Sequence, residues 1–284
     1  MMHVEYLILG AGWTSTFLAP LLDQHHLTYA STSTTGRDDT IEFKYDPEQS
    51  DPSYFSILPS AKFIIIVFPL TSAESTTRLV ESYTSTHPKA NPRFVQLGST
   101  GIYQIPDQPL WLDRKSKYDA TKPRAIAEDR LIELGGCVLN LSGLWGGARH
   151  PRNWISKVGA TKEQVAAKTS VHLVHGQDVA LSILAVCSQW DRGYSAGQRW
   201  MITDGYVYDW YSLFVHLSSS ASAAASGEEK PSQPTDQSKW VYEIISAPDS
   251  KVKALPRTPE ALGRCYDSRE FWSTFGVSPG RAGV

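Results

Sequence analysis

Cysteine is scarce in this chain of 284 residues. Cys137, Cys187 and Cys265 are odd in number, widely spaced and outside any C-x-x-C pair, which excludes a disulfide-stapled scaffold and reads as three reduced, buried thiols. A surplus of one charge is lacking too: 27 Lys and Arg stand against 29 Asp and Glu, with no long block of either. The electrostatic footprint of a nucleic-acid or anionic-membrane partner is therefore missing. No apolar run approaches the length of a membrane span, and no basic region with an apolar signal core precedes the first strand, which makes the cytoplasm the expected address. The histidines show no metal-ligand spacing, so no metal is expected; no nucleophile elbow and no internal repeat is evident. What the balance leaves is a small-molecule ligand, neutral or modestly charged.

What the sequence does have is a hinge at its start. The apolar run Tyr6-Leu7-Ile8-Leu9 breaks into Gly10-Ala11-Gly12 and then Trp13-Thr14-Ser15-Thr16-Phe17-Leu18, the pattern of strand, tight turn and helix. Gly10 permits the turn, Gly12 lets a backbone N–H approach a phosphate, and the helix N-terminus offers unpaired donors and a positive dipole end. Ser15 stands at the third position of the G-x-G-x-x-G fingerprint, which spaces helix and strand wider than the all-Gly version. Pro20, inside the predicted helix, is expected to kink or shorten it.

Residues 27–31 read as the second strand, followed by the polar cluster Thr32-Ser33-Thr34-Thr35-Gly36-Arg37. An acidic residue at the end of this strand would hold a ribose 2′-hydroxyl, whereas small hydroxyls with an Arg accommodate a 2′-phosphate. Thr32, Ser33 and Arg37 therefore favour NADP(H) over NAD(H), with Asp38-Asp39 placed to neutralise that Arg in part. Residues 41–45 alternate as a short third strand ending at Asp46-Pro47, with Asp46 in reach of an adenine. Residues 63–68 form a continuous β-branched run, as in a strand buried on both faces of a parallel sheet; Pro69 ends it, and Phe68 and Pro69 should line the cofactor cleft. A polar helix over residues 73–84 and strands over residues 93–97 and Cys137–Leu141 continue the alternation. This is the signature of an α/β fold with a doubly wound parallel sheet, a Rossmann fold, whose ligands bind beyond the carboxyl ends of the strands.

Further on, an amphipathic helix over residues 178–187, a strand over 199–203 and a helix over 210–217 capped by Asp209 are predicted. Residues 218–239 are rich in Ser, Ala, Pro and polar residues, cannot offset the entropy of ordering, and read as a disordered surface insertion. Thr258-Pro259-Glu260 looks like a helix start, and the aromatic-rich end, with Tyr266, Phe271, Trp272 and Phe275, should pack back on the body. The chain thus divides into an NAD(P)-binding Rossmann domain, residues 1–205, and a smaller C-terminal substrate-binding portion, residues 206–284.

Small hydroxyl residues follow a predicted strand at Gly98-Ser99-Thr100-Gly101-Ile102-Tyr103. Further stretches are Gly143-Leu144-Trp145-Gly146-Gly147-Ala148-Arg149-His150-Pro151, Val174-His175-Gly176-Gln177-Asp178-Val179-Ala180 and Trp200-Met201-Ile202-Thr203-Asp204. With Gly10-Ala11-Gly12, their order over about residues 4–217 resembles the extended or atypical short-chain dehydrogenase/reductases of the NAD-dependent epimerase/dehydratase type, especially the bacterial YeeZ-like proteins. The resemblance implies an NAD(P)-dependent oxidoreductase or an epimerase/dehydratase-type enzyme. It makes Ser99 the catalytic hydroxyl, hydrogen-bonding a substrate carbonyl or hydroxyl, and places Thr100, Trp145, Arg149, Trp154 and His175 as candidates for the substrate pocket.

Such a site also needs a Tyr acid/base with a Lys one helical turn later, because the ammonium lowers the phenol's pKa and grips the nicotinamide ribose. Tyr118-Asp119-Ala120-Thr121-Lys122 matches Y-x-x-x-K. Pro123, however, belongs in a helix's first turn, which leaves Tyr118 outside the helix. A register through Ala127-Glu128 puts Arg124 at the Lys position and Ala120 at the Tyr position. On that register the acid/base is missing, and Arg124 contacts cofactor ribose or phosphate without shuttling protons. Tyr103, Tyr118 and His175 stand as substitutes. Beside a redox enzyme acting on a small carbonyl or hydroxyl compound, two readings stay open: non-redox isomerisation, cyclisation or elimination in the same cleft, and an NADP sensor without turnover. Many short-chain relatives dimerise through the Y-x-x-x-K helix, so a homodimer is open as well.

Overall fold

The computed structural model describes residues 3–49, 51–219 and 234–284. Seven parallel strands make the central sheet: β1 (His3–Leu9), β2 (Tyr29–Ser33), β3 (Ile41–Glu42), β4 (Ser60–Ile66), β5 (Arg93–Ser99), β6 (Cys137–Leu141) and β7 (Gln198–Ile202). Their order is β3-β2-β1-β4-β5-β6-β7. Side chains alternate across the sheet, so each apolar run feeds two cores. Tyr6 and Ile8 of β1 join Phe63 and Ile65 of β4 in one. Leu7 and Leu9 join Ile64 and Ile66 in the other. Helices α1 (Ser15–Gln24), α2 (Ala73–Thr86), α3 (Pro123–Glu133) and α4 (Gly176–Ser188) cover the two faces. Leu18 and Leu22 of α1 close the first core with Val179 and Ile183 of α4, and Leu79 of α2 closes the second with Leu131 of α3.

Three local expectations are corrected. Pro20 does not shorten α1, which runs four residues beyond it: Leu18 and Leu22, on either side, are fully buried, and their burial outweighs one missing backbone bond. Thr32 and Ser33, expected just beyond the second strand, end β2 with 1% and 8% exposure. Their polarity is no obstacle, because Thr32 Oγ1 accepts from the Gly10 amide at 3.0 Å and Ser33 Oγ pairs with Thr40 Oγ1 at 2.7 Å. The third strand is only two residues long.

Of the expected insertion over residues 218–239, residues 220–233 lie outside the described residues. Its two ends are helical: Ser219 closes α5 (Trp210–Ser219) and Asp236 opens α6 (Asp236–Ile245). Thr235 caps α6 by accepting from the Ser238 amide, and the fully buried Val241 anchors it. A smaller core gathers Ile155, Val165, Trp210, Phe214, Leu217 and Val241, from both sides of residue 205. Asp209 caps α5 through the Tyr211 amide and forms a buried ion pair with Arg257 at 2.7 Å. The chain then returns in α7 (Arg269–Phe275), which delivers Phe271, Trp272 and Phe275 to the first core. Cys137, Cys187 and Cys265 are buried free thiols. Among the described residues, no helix is long and apolar enough to cross a membrane.

Candidate functional site

The strand order reverses at β1, which lies between β2 and β4, so a crevice opens beyond the carboxyl ends of β1 and β4. Gly10 leaves β1 with φ +100°, a conformation that only glycine adopts without strain. The Ala11 amide donates to the Thr32 carbonyl at 2.5 Å and the Gly12 amide to the Gly10 carbonyl at 2.9 Å. The next two amides, of Trp13 and Thr14, have no partner among the described residues. A Cβ placed on Gly12 would meet nothing within 4 Å. The turn in front of α1 is thus an open cradle with free donors, and its residues fit a pyrophosphate. The Ser15 hydroxyl, at the third fingerprint position, is buried without a partner.

Beside the cradle lies a groove of about 480 Å³, lined by residues 10–12 and 33–35 with Arg37, Val67 and Phe68. Arg37 spans it: its Nη2 donates to the Ala11 carbonyl at 3.2 Å, and its amide donates to Ser33 Oγ. Asp38 and Asp39, with φ of 51° and 59°, line an adjoining cavity together with Arg37, Gly12 and Trp13, and neither forms an ion pair with Arg37 among the described residues. Phe68 forms the far wall, stacked on Tyr45 at 5.8 Å. Pro69 is exposed. Asp46 accepts from the Glu48 amide and lines a neighbouring depression with Lys44, Pro47 and Tyr54, not this groove.

Ser99 ends β5 across the cleft. Its Oγ accepts from the Gly101 amide at 3.1 Å, which leaves its own hydrogen to donate, and its amide donates to Glu128 Oε1. The neighbouring candidates are packed away. Thr100 is buried with its hydroxyl on the Leu141 carbonyl, and Tyr103 is fully buried with its hydroxyl on the Arg114 carbonyl. Burial pushes the Tyr103 phenol well above its ordinary range.

Pro123 occupies the first turn of α3 with Lys122 as N-cap residue, so Tyr118 lies before the helix. The two face different partners: the Tyr118 hydroxyl donates to Asp129 Oδ1 at 2.8 Å, and Lys122 Nζ donates to the Gly101 carbonyl at 2.8 Å. Arg124 is half-buried in the first turn, and its guanidinium forms no hydrogen bond or ion pair among the described residues.

A buried network beneath Ser99 was not legible from motifs. Glu128, fully buried on α3, accepts from Asn140 Nδ2 at 2.8 Å and Arg199 Nη2 at 3.3 Å besides the Ser99 amide. Burial raises its carboxyl above the ordinary range against the pull of these donors. A Cβ on Gly98 would stand 2.5 Å from both Asn140 Nδ2 and Glu128 Oε1, so the network fills the space that glycine leaves. The available signal was a carboxylate on the apolar face of a helix, between Ala125 and Leu131.

On the other side of the cradle an aromatic cluster joins three segments. Trp13 Nε1 donates to the Gly146 carbonyl at 2.9 Å, Phe17 packs edge-on against Trp13 and His175, and Trp145 packs on His175 at 4.7 Å. His175 caps α4, its Nδ1 accepting from the Gln177 amide, and burial lowers its pKa. Arg149 lies over the Trp13 ring, while Trp154 packs into the smaller core. Behind the cluster, Asp178 accepts from the Gly280 amide at 2.7 Å and the Arg281 amide at 3.2 Å. Tyr208 accepts from the Gly283 amide and donates to Asp204. Burial raises both carboxyls, that of Asp204 to about 6. The contacts of Asp178 with Gly280, of Tyr208 with Gly283 and of Trp13 with Gly146 join segments far apart in the chain, which no local pattern announces.

No family model matches the chain, and no curated protein matches its sequence. Solved structures do. A Methylobacillus flagellatus protein described as an NAD-dependent epimerase/dehydratase is 16% identical at TM-score 0.61, with 95% of this chain and 91% of that one covered. The yeast methylglyoxal/isovaleraldehyde reductase Gre2, complexed with NADPH, is 13% identical at TM-score 0.63, with 99% and 94% covered. A short-chain dehydrogenase/reductase superfamily protein of Agrobacterium tumefaciens with bound NAD is 12% identical at TM-score 0.63, with 98% and 93% covered. Over nearly its whole length, the chain has the Rossmann fold of the epimerase/dehydratase and short-chain dehydrogenase/reductase structures.

Proposed function

We propose that the protein is an NADP(H)-binding, atypical short-chain dehydrogenase/reductase-type enzyme acting on a small carbonyl or hydroxyl compound. One observation carries the cofactor choice. The groove beside the cradle is lined at the end of β2 by hydroxyls, and its cation Arg37, held in place by the Ala11 carbonyl, forms no ion pair among the described residues. A carboxylate there would hold a ribose 2′-hydroxyl and repel a 2′-phosphate; hydroxyls and a guanidinium do the reverse.

On this reading the Trp13 and Thr14 amides hold the pyrophosphate, Thr34, Thr35 and Arg37 hold the 2′-phosphate while the Ser33 hydroxyl, engaged by Thr40 and the Arg37 amide, fixes the turn that carries them, and Phe68 flanks the adenosine. The bound nicotinamide supplies or takes the hydride. Ser99, whose lone pair is engaged by the Gly101 amide, donates its hydrogen to the substrate oxygen.

A second reading is favoured by Tyr118, whose hydroxyl is occupied by Asp129. With no phenol offered beside Ser99, the same cleft would run a non-redox isomerisation, cyclisation or elimination, or sense NADP without turnover. Calorimetric titration with NADPH, NADP, NADH and NAD, followed by a substrate screen at the nicotinamide absorbance band, separates the cases. Tight binding of the phosphorylated pair with an absorbance change supports the redox enzyme, and product without that change supports the second reading. No binding of any of the four sinks the redox enzyme and the NADP sensor, and turns the search to cofactor-independent chemistry in the same cleft.

A further inference from the structure

The Arg149 side chain is exposed and its guanidinium forms no hydrogen bond or ion pair among the described residues, yet the backbone that carries it is held in place. Gly146 and Arg149 exchange two backbone hydrogen bonds of 3.0 Å, which close a tight turn. The Gly146 carbonyl accepts from Trp13 Nε1 at 2.9 Å. Gly147 sits against Phe17, where a Cβ would stand 3.6 Å from the ring edge, and a Cβ on Gly146 would collide with the His175 imidazole. So placed, the Arg149 guanidinium lies 4.7 Å from the centroid of the Trp13 ring. The backbone amide of the same Trp13 is one of the two free donors of the cradle.

A cation from the opposite wall of the cleft is therefore parked beside the turn that presents unpaired N–H groups. The segment that carries it supplies no carboxylate of its own, since no Asp or Glu occurs between Glu133 and Glu163. A guanidinium stacked on a ring keeps its in-plane N–H donors free, and those donors match two phosphate oxygens at once.

We propose that Arg149 is a phosphate clamp: it binds the pyrophosphate of the dinucleotide rather than the substrate, and holds the turn over residues 146–149 closed on the cofactor. This rests on the dinucleotide reading above. It gives the two arginines separate tasks, with Arg37 on the 2′-phosphate and Arg149 on the pyrophosphate.

The test is calorimetric titration of the full chain, wild type and Arg149→Ala, with NADPH, ADP-ribose and adenosine 2′-monophosphate. The alanine variant should bind NADPH and ADP-ribose about tenfold or more weakly, the loss expected for charge-assisted hydrogen bonds, and bind adenosine 2′-monophosphate, which lacks the pyrophosphate, unchanged. Arg149→Lys should recover part of the loss. Unchanged NADPH affinity in Arg149→Ala overturns the clamp alone, as does an equal loss for adenosine 2′-monophosphate, which marks damage to the loop. A wild-type chain that binds none of the three overturns the dinucleotide reading and the clamp with it.

Discussion

Tyr118 donates its phenolic hydrogen to Asp129 at 2.8 Å, and Arg199 completes the arrangement from above the ring, 4.4 Å away and bonded to the same carboxylate oxygen at 2.9 Å. Burial and the Asp129 carboxylate raise the phenol's pKa. That is the opposite of what a Lys-activated acid/base requires. Tyr118→Phe should therefore cost about 1 kcal/mol of stability in urea unfolding, the worth of one hydrogen bond, and leave NADPH affinity unchanged. A drop in turnover by orders of magnitude in that variant, once a substrate is found, would return the proton-transfer role to Tyr118.

The carboxylate under Ser99 should matter far more for folding. Glu128→Ala takes the 2.8 Å acceptor from Asn140 Nδ2 and leaves Arg199 with Asp129 as its remaining carboxylate, and each buried polar group that loses its partner costs about 1–3 kcal/mol. Glu128→Gln keeps an acceptor for Asn140 and the Ser99 amide and should cost less. Urea midpoints of the two variants, read at one pH, check the order.

Two buried groups give opposite pH dependences. Native Asp204 binds a proton up to about pH 6 where the ordinary value is 3.8, so it adds stability as pH falls from about 6 to about 4. His172, buried with its Nε2 accepting from the Tyr266 amide, has its pKa lowered from 6.5 to about 3. Its contribution is present above 6.5 and is lost as pH falls through the interval. Asp204→Asn removes the opposing slope, so acidification from about pH 6 to about pH 4 should destabilise this variant more steeply than the wild type. Chemical denaturation at several pH values would show it, and parallel curves would contradict it.

The two glycines of the first turn should separate folding from binding. Gly10→Ala forces a side chain into φ +100° and should cost about 1–2 kcal/mol of stability. Gly12→Ala meets no protein atom within 4 Å, so stability should hold while the methyl group intrudes on the cradle and weakens nucleotide binding. Thermal unfolding and calorimetry on the same two variants read both effects.

Much of the sheet was legible because burial on both faces demands continuous apolar runs, as in Ile64, Ile65 and Ile66, and because Gly10, at φ +100°, marks a turn that a side chain would strain. Thr32 and Ser33 were placed beyond the strand because the partners that satisfy their hydroxyls, the Gly10 amide and Thr40, are brought to them by the fold. The same holds for Asp209 with Arg257, for Asp178 with Gly280 and for Trp13 with Gly146. At the site, the Pro123 argument placed Tyr118 outside the helix from sequence alone. The Asp129 and Arg199 partners that occupy its phenol needed the fold.

The most direct test of the central claim is the affinity ratio between NADPH and NADH, measured by calorimetry for the wild type and for Arg37→Ala. The groove predicts tighter binding of NADPH by the wild type, and a ratio that collapses toward one in Arg37→Ala through loss of NADPH affinity, with NADH affinity nearly unchanged. A wild type that prefers NADH, or a ratio that survives the loss of Arg37, would contradict the account.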